Sequence, residues 1–183
     1  IGVNLLLFPY VVSRVGETEA GIWLLLASLT GYMGLVHLGT VPAVTQLVAA
    51  HVGRGETRRL NSLASTTLVL LGALGLIPLI LVPLLPRFIG ILNIPEALHS
   101  DALLIFRLGV VGFTLQTPGH VFNALLSGNQ RQDRCAQAWI TSLTLKLLGS
   151  VAVLRFGYGL PGLMMVDLFL IVLMDVALGA LAF

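Results

Sequence analysis

Residues 20–53 read AGIWLLLASLTGYMGLVHLGTVPAVTQLVAAHVG, thirty-four consecutive positions without a lysine, arginine, aspartate or glutamate. At 1.5 Å per residue the run would make about 50 Å of helix, longer than the roughly 30 Å hydrocarbon layer of a bilayer. It is too short for two spanning helices and a turn. It therefore predicts one long helix over about 20–51, broken or tilted near Gly39 and Pro42, with its ends in the interfaces. The remainder of the chain has the same character: of 183 residues, 57% are hydrophobic and 10% charged. A soluble domain carries about a quarter charged residues. Too few polar residues exist here to build a water-facing exterior, so the chain is an integral membrane protein. Its net charge of +2 comes from basic residues that never cluster into a stripe, which excludes nucleic acid as a partner. The single cysteine, Cys135, excludes an internal disulfide framework and a cysteine-rich metal site.

Charges punctuate the sequence, and the helices are read between them. A partial first segment over about 1–13 precedes Arg14. Further segments follow over about 60–86, 101–126, 136–154 and 160–183, the last after the turn Gly157-Tyr158-Gly159-Leu160-Pro161-Gly162. No strand-like alternation appears. The expected fold is an all-α transmembrane bundle of six helices occupying residues 1–183 as a single unit. The chain opens and closes inside apolar runs, at Ile1 and Phe183, and reads as part of a longer membrane protein. Loops after the second and fourth segments hold Arg54, Arg58, Arg59, Arg131 and Arg134, against Arg14, Arg87 and Arg155 on the other side. The positive-inside rule places the richer side in the cytoplasm.

No nucleotide-binding loop, zinc-protease motif or nucleophile elbow occurs, so neither enzymatic chemistry nor a cofactor or metal is expected. What remains is a set of polar side chains at membrane depth, which are costly there and face cavities or one another. Arg107 and Thr114 share one face of the fourth segment, and Gln116, His120 and Asn123 share the opposite face. Arg107 either lines a cavity for an anionic or sugar-bearing substrate or snorkels to the interface. Lys146 lies midway along the fifth segment, on a face with Trp139, Ser142 and Ser150. It requires a cavity or an ion pair, and Asp167 on the next segment is the available partner. Asp175, eight residues later on the same broad face, suits a bound proton or sodium ion, or a structural partner elsewhere. His37 beside the Gly39/Pro42 break serves either freed backbone carbonyls or a proton relay. Asn4 is a candidate for helix–helix hydrogen bonding, and Gly31/Gly34, Gly72/Gly75 and Gly109/Gly112 are small-residue pairs that let helices approach.

The stretch from Pro9 to Ala64 carries a more specific signal. It holds Pro9, Arg14-Val15-Gly16-Glu17, Gly21-Ile22-Trp23, Gly31-Tyr32-Met33-Gly34, His37-Leu38-Gly39-Thr40, Gly53-Arg54-Gly55-Glu56, Asn61 and Ala64. In order and spacing this resembles the opening of polysaccharide biosynthesis proteins of the oligosaccharide-flippase type. Their superfamily also contains the multidrug and toxin extrusion transporters and the lipid II flippase. His37 departs from the pattern, which usually has an acidic or other polar residue there. The resemblance implies two six-helix lobes around a cavity open alternately to either side, with this chain as most of the N-terminal lobe and a C-terminal lobe as its partner. It also implies translocation of polyprenyl-diphosphate-linked oligosaccharide across the cytoplasmic membrane for cell-surface polysaccharide, including lipopolysaccharide. The resemblance assigns no substrate-binding residue here; from the residues themselves, Lys146, with or without Arg107, would attract the diphosphate, Gln116, His120 and Asn123 would meet sugar hydroxyls, and Asp167 and Asp175 would balance charge or carry a coupling ion. A cation-coupled drug exporter of the same fold is the alternative and requires a net acidic cavity. A membrane-embedded glycan-transferring enzyme is a third reading, for which the outside loop offers only Glu96 and His99.

Overall fold

The computed structural model describes residues 2–34, 39–91 and 94–182, excepting the side chains at 2–6, 88 and 91. Every regular element in these residues is helical. In chain order they are α1 (Gly2–Val15), α2 (Glu17–Met33), α3 (Thr40–Gly53), α4 (Thr57–Leu76), a 3₁₀ segment (Ile77–Leu84), α5 (Leu85–Ile91), a 3₁₀ turn (Glu96–Leu98), α6 (His99–Gly128), α7 (Gln132–Arg155) and α8 (Gly159–Ala182).

The charge-free run is not one helix. Among the described residues it forms α2 from Ala20 onward and all of α3, so where a helix broken or tilted near Gly39 and Pro42 was expected, α2 ends at Met33 and α3 starts at Thr40. Pro42 falls in the first turn of α3, where its absent N–H would have no intrahelical acceptor, so it starts this helix rather than bending a longer one. His37 lies outside the described residues, as does the Asn4 side chain. Where six segments were expected, the first of them partial, four stretches among the described residues are long and apolar enough to cross a membrane: Thr57–Arg87, Glu96–Gly128, Gln132–Arg155 and Gly159–Ala182. Within the first of the four, α4 gives way to the 3₁₀ segment because Pro78 and Pro83 supply no N–H to an α-helical ladder. Helix α6 continues through Pro118.

Helix α6 is the centre of the bundle, with α2, α3, α4 and α8 packed on it and α7 packed on α8. The buried residues Val11, Ile22, Ile105, Phe106, Leu160 and Leu163 join α1, α2, α6 and α8 at one end. Val44, Val48, Leu71, Val121 and Leu125 join α3, α4 and α6 at the other. Outward-facing Val69, Ile80, Ile140, Leu148 and Val176 are more than 60% exposed, an arrangement that suits lipid and not water. Thr114 Oγ1 donates to the Gly75 carbonyl at 2.8 Å, a hydrogen bond between α6 and α4. Thr114, expected to share a lining with Arg107, is thus committed to helix packing.

The turn between α3 and α4 lies outside the four spans. There the His51 ring Nδ1 is 2.8 Å from Glu56 Oε2, and Arg59 Nη1 is 3.3 Å from the same oxygen. The His51 hydrogen bond, assisted by the charges of Arg59 and its neighbours, holds the partly buried Glu56 carboxyl below the usual carboxylate range. A depressed carboxyl contributes to folding above its unfolded pKa, and the contribution disappears as the pH falls through the folded value. Acidification to that point is expected to release His51, shifting its ring NMR signals, and Glu56→Gln should produce the released signals at neutral pH. Identical His51 signals in the variant and the parent would refute the contact.

Candidate functional site

Helical periodicity brings the polar residues together. On α6, Gln116, Gly119, His120 and Asn123 follow the i, i+3, i+4, i+7 spacing of one face, and Trp139, Ser142, Leu143 and Lys146 do so on α7. These two faces, with Asp167, Ile171, Met174 and Asp175 of α8 and Thr30 of α2, enclose a cavity of about 500 Å³. A second cavity of about 310 Å³ adjoins it towards Trp23 and Met164, sharing Thr30, Gln116, Lys146, Asp167 and Ile171 as walls.

Six of the seven residues singled out in the sequence meet in this place: Gln116, His120, Asn123, Lys146, Asp167 and Asp175. Arg107 does not line it and is exposed. The reason is angular. Arg107 and Gln116 are nine positions apart, so at about 100° per residue they point to opposite sides of α6. Of the two expectations for Arg107, lining a cavity or reaching the interface, its exposed position fits the second.

Lys146 Nζ lies 2.7 Å from Asp167 Oδ1, and the two side chains are 25% and 28% exposed. At this depth each charge removes much of the other's desolvation cost. Asp175 has no ion pair or hydrogen bond among the described residues. With His120 counted as neutral, one base and two acids leave the cavity net acidic. Asn123 Oδ1 accepts a hydrogen bond from Ser127 Oγ at 3.3 Å, and Thr30 Oγ1 donates to the Leu26 carbonyl at 2.8 Å.

The seat of Asp175 is a glycine. A Cβ built at Gly119 would overlap the Asp175 carboxylate, so the absence of a side chain on α6 is what lets this acid lie against the helix backbone. Sequence reasoning missed this role, and it also missed Thr30 as a wall. Gly119 does sit three residues after Gln116 and one before His120, on the polar face. That spacing is the signal that was available.

The family model for MatE matches residues 5–152, which covers α1 to most of α7 and leaves α8, with Asp167 and Asp175, beyond the matched region. No curated protein matches the chain. No solved structure matches it either. A match over that much of a multi-helix membrane chain places it plainly: this protein belongs to the MatE family, whose members are membrane exporters and not enzymes.

Proposed function

We propose that the chain forms one lobe of a cation-coupled exporter of the cytoplasmic membrane, with a proton or sodium ion bound at Asp175 and a cationic or neutral substrate in the same cavity. The observation that carries this reading is the charge balance. Lys146 is engaged by Asp167 at 2.7 Å, while Asp175 faces the cavity with no countercharge among the described residues. An acid at membrane depth in a site of low dielectric attracts a cation strongly. A second lobe would supply the opposite wall, and rocking of the two lobes would expose the cavity to each side in turn.

A second reading is export of polyprenyl-diphosphate-linked oligosaccharide. It is favoured by the amides and hydroxyls of Gln116, Asn123, Ser142 and Thr30, which match sugar hydroxyls, and by the resemblance over residues 9–64. Against it, a diphosphate would meet Asp175 and a lysine already neutralised.

The test is Asp175→Asn in the full-length protein, which removes the charge and keeps the shape. Gradient-driven export of a cationic substrate is expected to fall by about tenfold or more, whereas Arg107→Ala should leave it within about twofold. Unchanged export in Asp175→Asn would sink the first reading. Loss of surface polysaccharide in Lys146→Ala, without loss of cation export, would establish the second.

A further inference from the structure

The ionisable residues divide unevenly between the two ends of the bundle. At the end joined by Val11, Ile22, Ile105 and Leu160, four arginines (Arg14, Arg87, Arg107 and Arg155) are matched by Glu17, Glu19, Glu96 and Asp101. The polar cavity between the ends holds Lys146 with Asp167 and Asp175. At the other end five arginines, Arg54, Arg58, Arg59, Arg131 and Arg134, stand against only Glu56 and Asp133. That end alone is net +3, in a chain whose total is +2. All five of its arginines are exposed.

Two short turns gather these charges. Residues 54–56 join α3 to α4, and residues 129–131 join α6 to α7. Gly55 at φ 69° and Gln130 at φ 59° help reverse the chain within so few positions. The turns are neighbours, because α3 and α6 touch just before them: a Cβ at Gly128 would lie 2.6 Å from Val48 Cβ. Glu56 engages Arg59 at 3.3 Å and Asp133 engages Arg134 at 3.9 Å. Arg54, Arg58 and Arg131 are in no ion pair among the described residues. Helix electrostatics does not account for the excess either. Arg58 and Arg59 lie in the first turn of α4, and Arg131 and Arg134 at the start of α7, where the helix dipole opposes positive charge. The compensation has to come from outside the chain.

We infer that this end of the bundle binds an anionic phospholipid, whose phosphodiester headgroup is held between the α3–α4 and α6–α7 turns by Arg54, Arg58 and Arg131. Guanidinium groups pair with phosphate oxygens through parallel charge-assisted hydrogen bonds. The flanks of the patch point to a lipid and not to a soluble phosphate. Val52, two residues before Arg54, is 40% exposed, Leu47 on the same helix 48%, and Ile140 on α7 64%. Apolar surface thus begins where the arginines end, and a lipid meets both with one molecule, whereas a free anion meets only the charge. A zwitterionic headgroup carries its own cation and gains far less from a basic cluster. None of the three arginines lines the polar cavity, so the lipid is a neighbour of the transport site and not its cargo.

The test purifies the full-length protein from vesicles holding equal phosphatidylglycerol and phosphatidylcholine, and counts the co-purifying lipid by mass spectrometry. Phosphatidylglycerol is expected to be retained about tenfold over phosphatidylcholine, and a wash in about 1 M salt should remove most of that preference. The variant Arg54→Gln/Arg58→Gln/Arg131→Gln should lose the retained phosphatidylglycerol about tenfold, since each arginine near an anionic headgroup contributes to the attraction. Lysine at the same three positions keeps the charge and should hold retention within about threefold of the parent. Arg87→Gln/Arg155→Gln, at the balanced end, should leave it within about twofold. Equal retention of the two lipids by the parent would overturn the proposal. So would equal losses from variants at the two ends, or displacement of the lipid by equimolar inorganic phosphate. If the triple variant does not fold, Arg131→Gln alone, with an expected loss of about threefold, decides in its place.

Discussion

Gly128→Ala is expected to lower stability by about 1–3 kcal/mol, the range for overpacking a filled interior, whereas Gly31→Ala should raise it by about 0.5–1 kcal/mol through the ordinary helix preference for alanine. Both glycines are helical, and composition gives no reason to separate them. Their surroundings do. A Cβ at Gly128 would come within 2.6 Å of Val48 Cβ and 2.9 Å of the Thr45 carbonyl oxygen. Val48 is fully buried and β-branched, with little rotamer freedom, and the Thr45 carbonyl is backbone. Neither can yield unless α3 moves away from α6, which would open the core around Val44, Val121 and Leu125. A Cβ at Gly31 meets nothing within 4 Å. Thermal unfolding of the two variants in the same detergent measures the contrast. Equal stability would show that α3 does not pack on α6 in this way.

The second large effect concerns the charges across α7 and α8. Removing one partner of a buried ion pair costs about 3–5 kcal/mol because the other charge is stranded. Here a quarter of each side chain is exposed (25% and 28%), so about 1–3 kcal/mol is expected for Asp167→Ala or Lys146→Ala after allowance for solvent screening. The double variant Lys146→Met/Asp167→Leu strands nothing and should regain most of that loss. A thermodynamic cycle over the four proteins isolates the pair from its surroundings. Export should not recover with stability. If Lys146 or Asp167 takes part in transport, the double variant is stable and still impaired. Additive losses in the double variant would mean that the two side chains are not paired in the membrane.

Much of the site was legible in the sequence because helical spacing is a local property. Gln116, His120 and Asn123 fall on one face of α6 wherever α6 sits, and the opposition of Arg107 to that face follows from the same arithmetic. Asp167 was the evident partner for Lys146, since of the two acids on the next helix it lies about as far after the short turn as Lys146 lies before it. Arg107 was left between cavity and interface because its charge requirement argues for the one and its direction on α6 for the other. Over 20–51 the sequence left open whether the helix is broken or only tilted near Gly39 and Pro42. Length and hydropathy show how far an apolar run could reach, whereas the start of α3 depends on Pro42 occupying its first turn.

What the sequence by itself determined is the solvent: with 10% charged residues the chain can only bury itself in lipid, and without strand-like alternation its backbone is satisfied there by helices. It also determined which side chains share a face, because that follows from 3.6 residues per turn. Only the tertiary structure decided which faces meet. Gly119 seats Asp175, Gly128 admits Val48, and Lys146 of α7 meets Asp167 of α8. These are contacts between residues far apart in the chain. They depend on how closely two helix backbones approach, a quantity set by volume at both surfaces and visible in neither sequence segment alone.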